Sequence, residues 1–175
     1  MDRIYLETIV QASLENCFDL SRSIDFHVAS MAGTGEKPVD GRKAGLIELG
    51  EFVEWEATHL FVKQRLSSKI TQMVKPHYFQ DEMVKGAFKS FVHKHKFLRH
   101  KSDQVIMIDD FHYETPLGIL GKFAEVLFLR RYLERLIRER NECIKRALET
   151  EEWKRFLQPN DRNANEQILH RNYSA

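Results

Sequence analysis

His93 and His95 lie two residues apart in a stretch, Ala87 to His100, whose alternation reads as a strand. Side chains at that spacing share one face, and Phe91 and Phe97 share it with them. Val92, Lys94 and Lys96 occupy the opposite face, which suits solvent. The two imidazoles therefore point inward, beside two phenylalanines. Imidazole is the side chain that changes charge near neutral pH, so an inward pair has several uses. It can be structural, bonded to Glu56, Asp109, Asp110 or backbone groups, because buried polar groups find partners. It can form the polar end of a ligand cavity, since pockets are mostly apolar with a few polar anchors. It can bind metal: His59, His93, His95 and one carboxylate would make a zinc shell, although alternation on any sheet produces the same spacing. A cavity histidine beside Asp109 could also act as an acid–base group, which needs a titratable side chain near a substrate.

Other residues join this set through the strands that carry them. Glu51 to Leu60 alternates, and Val53, Trp55, Ala57 and His59 fall on one side. Gln104 to Glu114 offers two faces, of which Val105, Met107, Asp109, Phe111 and Tyr113 is the more apolar. The candidate ligand-binding set is Trp55, His59, Phe79, Met83, Phe91, His93, His95, Phe97, Met107, Asp109 and Tyr113. No residue is assigned as catalytic or as a metal ligand, and no cofactor is expected. Ser67, Ser68 and Ser90 sit on strands without the sharp turn of a nucleophilic serine. Gly118 and Gly121 lack the Lys-Ser/Thr of a phosphate loop.

The elements that position these residues follow from periodicity. Arg3 to Ala12 alternates as a strand with one buried face. Ser13 can cap a helix carrying Cys17, Phe18 and Leu20, and Ser23 can cap a second over Ile24 to Met31. Gly33 to Gly41 is a loop by composition. Strands follow over Glu51 to Leu60, Gln64 to Lys75, His77 to Lys85, Ala87 to His100 and Gln104 to Glu114, with Pro76 ending one or marking a bulge. Leu66, Ser68, Ile70, Gln72 and Val74 share a face in the second of these. Leu117 to Leu148 has helical spacing through Leu120, Phe123, Leu127, Leu133, Leu136, Ile137, Ile144 and Leu148. That helix would be roughly 45 Å long. The fold class is α+β: a curved antiparallel sheet gripping a long C-terminal helix, with two short helices after the first strand. Residues 1–150 form one domain and 151–175 a polar tail, in which Glu152 to Leu157 adds a turn of helix.

Composition narrows the function. The chain has 175 residues, 42% hydrophobic and 30% charged, inside the globular range. A net charge of +1 gives no general attraction to nucleic acid. Cys17 and Cys143 lie far apart and read as small apolar residues of a reducing compartment. No run approaches the ~18 apolar residues of a membrane span, and Met1 to Glu7 lacks the apolar core of a signal peptide. The expectation is a cytoplasmic protein without stable membrane insertion, monomeric or homodimeric.

Three motifs and a closing segment carry a resemblance. They are Gly50-Glu51-Phe52-Val53-Glu54-Trp55-Glu56-Ala57-Thr58-His59; Ile70-Thr71 leading to Pro76 and Phe79-Gln80-Asp81-Glu82; and Gly86-Ala87-Phe88 with His93-Lys94-His95-Lys96-Phe97. Asp109-Asp110-Phe111-His112-Tyr113-Glu114-Thr115-Pro116-Leu117-Gly118 completes the pattern. In this order they resemble the ligand-binding superfamily that includes START domains, polyketide cyclases and plant allergens of the birch-pollen type, and within it a bacterial subgroup. The resemblance implies a helix-grip fold and the binding or carriage of a small hydrophobic molecule, lipid-, isoprenoid- or polyketide-like, between sheet and helix. Two alternatives stay open. One is a cyclase- or dehydratase-type enzyme using His59, His93 or His95. The other is a protein-interaction module without ligand, which predicts a filled interior and an exposed apolar patch.

Overall fold

The computed structural model describes residues 1–59, 61–115 and 123–158, with side chains in the last segment from residue 128 onward. Seven antiparallel strands form one sheet: β1 (Asp2–Gln11), β2 (Lys37–Gly41), β3 (Phe52–His59), β4 (Val62–Val74), β5 (Tyr78–Lys85), β6 (Ser90–Arg99) and β7 (Gln104–Glu114). Their order is β1-β7-β6-β5-β4-β3-β2. Strands β2 to β7 pair with their chain neighbours, and β1 crosses to β7, so the last strand lies inside the sheet. Between β1 and β2 run α1 (Leu14–Ser21) and α2 (Ile24–Ser30); α3 (Phe123–Glu149) and α4 (Lys154–Leu157) follow β7.

Local chemistry sets these boundaries. Ser13 Oγ accepts the Asn16 N–H at 3.1 Å and Ser23 Oγ accepts the Phe26 N–H at 3.2 Å, so each serine satisfies a donor that its helix leaves free. Arg22, between the helices, is buried. It donates to Asp19, Glu48 and the Ile47 carbonyl, which ties the α1–α2 corner to the segment before β3.

Three features depart from the sequence pattern. Lys37–Gly41 is a strand rather than loop, paired with β3 and carrying a register shift between Pro38 and Asp40. An edge strand tolerates proline because one of its sides needs no donors, so composition concealed it. Gly41 is specific to this pairing: at φ +72°, a Cβ there would meet the Phe52 carbonyl oxygen at 2.2 Å. In β4 a register shift between Ile70 and Gln72 breaks the alternation. Leu66, Ser68 and Ile70 share the inward face, but beyond the shift Met73 packs on the core and Val74 is exposed. An extra residue in one strand reverses which side chains face in. Finally, β6 starts at Ser90, not Ala87. Phe88 folds inward ahead of it and meets Phe91, Phe111 and Tyr113 edge-on.

The helix α3, about 40 Å long, has two functions along its length. Ile144, Ala147 and Leu148 are fully packed into the main core with Val10, Phe18, Phe97, Val105 and Met107. Leu129, Leu133 and Ile137 lie over the second cluster of Ile4, Phe91, Phe111 and Tyr113. The expected start of this helix at Pro116 and Leu117, including Leu120, Gly118 and Gly121, falls outside the described residues. After Glu149, apolar packing continues: Trp153, Phe156 and Leu157 lie against the core, and Phe156 meets Phe26 edge-on at 5.2 Å. Residues 159–175 are outside the described set. Among the described residues no helix is long and apolar enough to cross a membrane. Cys17 is buried and Cys143 half-buried, both as free thiols; burial pushes the Cys17 thiol up to about 12.

Candidate functional site

The sheet curves around a cavity of about 430 Å³. Strand alternation puts Val53, Trp55, Ala57 and His59 of β3 on its wall, and β4 adds Gln64, Leu66, Ser68 and Ile70. Phe79 and Asp81 of β5, Phe91, His93 and His95 of β6, and Phe111 of β7 continue it. Helix α3 covers it with Leu129, Tyr132, Leu133, Leu136, Ile137 and Arg140, and α2 contributes His27. This wall is mostly apolar, and its histidines fall into two clusters.

The first centres on Asp109. It faces His95 directly across the β6–β7 pair, with His93 diagonal to it. His93 Nε2 hydrogen-bonds Asp109 Oδ1 at 2.9 Å, and His95 Nδ1 lies 2.9 Å from the same oxygen. Asn141 Nδ2 of α3 donates to Oδ2 at 2.7 Å, and Arg140 Nη1 is 3.7 Å from Oδ1. On its other side His95 Nε2 is 3.2 Å from Asp81 Oδ1. The two imidazoles touch, with ring centroids 3.9 Å apart, and Phe79 stacks on His95 at 4.2 Å.

Charge follows from these contacts. Burial pulls Asp109 toward its neutral form, but the two imidazoles outweigh it and hold the carboxyl well below its ordinary range. Asp81 is lowered in the same way, burial opposed by His95 and His93. Burial disfavours the imidazolium at both histidines. At His95 the bracketing carboxylates win and its pKa is raised; at His93 burial and the neighbouring His95 charge win and its pKa is lowered. The two touching imidazoles are thus pushed in opposite directions, His95 bracketed by two carboxylates and His93 bonded to Asp109 through Nε2.

The second cluster lies three strands away, on the order of 14 Å across the sheet. Glu36, just before β2, bonds His27 Nε2 at 2.6 Å through Oε2, accepts the Thr34 hydroxyl at 3.2 Å through Oε1, and is 3.7 Å from His59 Nε2. His59 Nδ1 pairs with the Tyr132 hydroxyl at 2.9 Å, and His27 stacks on Trp55 at 4.3 Å. Burial raises the Glu36 carboxyl, but His27, His59 and Thr34 together leave it lowered.

Of the eleven residues singled out from sequence, Trp55, His59, Phe79, Phe91, His93 and His95 line the cavity. Asp109 stands behind the two histidines. Phe97 and Met107 are packed in the main core. Tyr113 is fully buried in the second cluster, against which Met83 packs. These four share the cavity's side of the sheet but lie beyond its ends or beneath its wall. Neither Glu56 nor Asp110 bonds the paired histidines. Glu56 faces Lys63, Lys37 and Arg65, which hold it down at about 2, and Asp110 pairs with Arg3 and His112. His59 is likewise not a neighbour of His93 and His95, so the trio suggested by residue type is split between the two clusters. Sequence reasoning missed Glu36, His27, Tyr132, Arg140 and Asn141. Asp81 was in a quoted motif without a role. The helical spacing of Leu129, Tyr132, Leu133 and Leu136 could have placed Tyr132 on the covering face, whereas nothing local marks Glu36. Phe128, on the same helix, is exposed.

No family model matches the chain, and no curated protein matches it. Solved structures do. TTHA0849 from Thermus thermophilus aligns over 83% of this chain and 99% of that one, with a TM-score of 0.65 at 15% identity. A START superfamily protein from Mycobacterium smegmatis aligns over 85% and 97%, with a TM-score of 0.62 at 10% identity. The major latex-like protein 151 of Panax ginseng aligns over 84% and 97%, with a TM-score of 0.59 at 14% identity. The chain therefore has the α+β helix-grip fold of these structures.

Proposed function

We propose that this chain binds or carries a small, largely apolar molecule (lipid-, isoprenoid- or polyketide-like) in the cavity between sheet and α3. One observation carries the reading: a cavity of about 430 Å³ with an apolar wall and two groups of polar side chains, the mixture a small-molecule site has. Leu133, Leu136 and Ile137 would cover the ligand, Trp55, Phe79 and Phe91 would pack on it, and His93 and His59 would anchor its polar atoms. Such a cavity argues against the interaction-module reading, which requires a filled interior. We also infer a cytoplasmic protein, monomeric or homodimeric. With a net charge of +1 it has no basic excess to draw nucleic acid.

Native mass spectrometry of the protein from its own host, followed by denaturing extraction, tests this. The expected result is an apolar molecule released on denaturation and a fluorescent apolar dye bound by the stripped protein. Ala57→Trp, which fills the space in front of β3, should abolish dye binding while the circular dichroism stays native. Dye binding unaffected by Ala57→Trp, together with no co-purifying molecule, would overturn the reading.

A second reading, an acid–base enzyme of the cyclase or dehydratase type, is favoured by one feature: two touching histidines, ring centroids 3.9 Å apart, whose pKa values are pushed in opposite directions. Environments that push like groups apart are how acid and base roles are assigned in active sites. Replacing His93 should then cut turnover roughly 100-fold or more with a modest change in ligand affinity. Simple carriage predicts only the affinity change.

A further inference from the structure

The geometry points to a divalent metal site formed by Asp81, His93 and His95, facing the cavity. One donor atom from each of the three lies within 4.8 Å of the others. The arrangement comes from the sheet: His93 and His95 share a face of β6, and Asp81 sits opposite His93 on β5. Two imidazoles and a carboxylate are ligands that zinc and related transition ions accept.

What sets this cluster apart from a chance meeting of polar groups is the carboxylate behind it. A histidine that binds metal presents its other ring nitrogen to a carboxylate or carbonyl, which fixes the ring and its tautomer. Asp109 does this for both histidines at once. It takes His93 through Nε2 and lies against His95 at Nδ1, so the nitrogens remaining for an ion are His93 Nδ1 and His95 Nε2. The second of these already points at the Asp81 carboxylate, 3.2 Å away. Asn141 holds the far oxygen of Asp109 at 2.7 Å, so the supporting carboxylate cannot turn away. Arg140 Nη1, 3.7 Å from Asp109 Oδ1, places a positive charge beside the supporting carboxylate. The protein supplies three donors, so a four-coordinate ion takes its fourth from the cavity side, where an oxygen of a bound molecule or a water can reach it. His59 has no part in this site; it belongs with Glu36 and Tyr132.

This proposal does not depend on an apolar ligand being carried, and its test uses stripped full-length protein. The protein is freed of metal with chelator and titrated with Co²⁺ at neutral pH, following visible absorption, and then with Zn²⁺ in competition. The expected result is one equivalent of Co²⁺ with the absorption of a low-coordinate site, displaced by one equivalent of Zn²⁺. Asp81→Asn and His93→Gln should each weaken binding at least tenfold while melting remains cooperative. Asp109→Asn, which leaves all three ligands in place, should weaken it roughly 10- to 100-fold. Failure of the wild-type protein to bind either ion, or cobalt bound equally well by Asp81→Asn and His93→Gln, would overturn the proposal. A negative wild-type titration overturns the proposal even if a variant does not fold. It is also separate from dye binding, which reports the carrier reading.

Discussion

The Asp109 and Glu36 clusters both place a carboxylate between two imidazoles, but the elements that hold them differ. Asp109 is on an inner strand; its histidines are on the next strand and its amide partner is on α3. It is 2% exposed. Glu36 lies in a connection at the sheet's edge and gathers partners from α2 and β3, with Tyr132 of α3 bonded in turn to His59, and these elements meet only in the folded chain. A strand fixes the direction of every second side chain in advance, whereas a connecting segment takes its direction from whatever packs around it. The first cluster should therefore be rigid and costly to disturb, and the second more tolerant.

The largest expected effect is at Asp109. Asp109→Ala removes the carboxylate that His93 and His95 share and leaves Asn141 Nδ2 with Thr8 Oγ1, at 3.3 Å, as its remaining acceptor. Breaking a buried pair by removing one partner costs about 3–5 kcal/mol, to be read as a lower urea midpoint. A cost below about 1 kcal/mol would mean the cluster relaxes as readily as its counterpart. Gly41→Ala comes next. Positive φ at a non-glycine residue costs about 1–3 kcal/mol, and the Phe52 carbonyl lies in the way of the new methyl. Hydrogen exchange should rise along β2 and at Glu36, with β6 and β7 unchanged; protection lost equally at His93 would dissolve the distinction.

Glu36→Gln separates the clusters by pH. The folded Glu36 carboxyl is held below its ordinary value, so it binds protons more weakly folded than unfolded. Its contribution to stability is present above about pH 4.3 and is lost as pH falls through the lower folded value. The stability gap between wild type and Glu36→Gln should narrow on acidification through that window. A gap independent of pH would show that Glu36 acts only by its shape. Tyr132→Phe is the mildest test, removing one hydrogen bond to His59 for about 0.5–1.5 kcal/mol. Combined with Asp109→Ala it should add to within about 0.5 kcal/mol, as separate sites do.

The same contrast explains what the sequence could reveal. The inward pairing of His93 with His95, the β3 face from Val53 to His59 and the two serine caps depend on neighbours in sequence and were legible. The helix-grip order was legible because each element has its own period. Three kinds of feature were hidden. A bulge in β4 altered parity without leaving a mark in composition. A glycine- and proline-bearing segment became an edge strand because β3 had an open side to pair. Glu36 and Tyr132 became neighbours of His59 through tertiary packing alone. The mixture of Phe97, Met107 and Tyr113 with true cavity residues has a related cause: alternation tells which face a side chain is on but not how far along the strand the hollow extends.

Asn141 gives α3 something its apolar stripe lacks. Ile137, Ile144 and Leu148 could slide or roll over one another with gradual loss, because dispersion contacts are many and individually weak. The bond from Asn141 to Asp109 acts like a tooth in a gear. Advancing the helix by one residue turns it about 100° and brings Arg140 or Glu142 to that position instead, so intermediate rotations lose the Asn141 bond to Asp109. The helix is thereby indexed against the sheet, and the indexing decides that Leu133, Leu136 and Ile137, rather than the charged residues beside them, form the roof over the hollow.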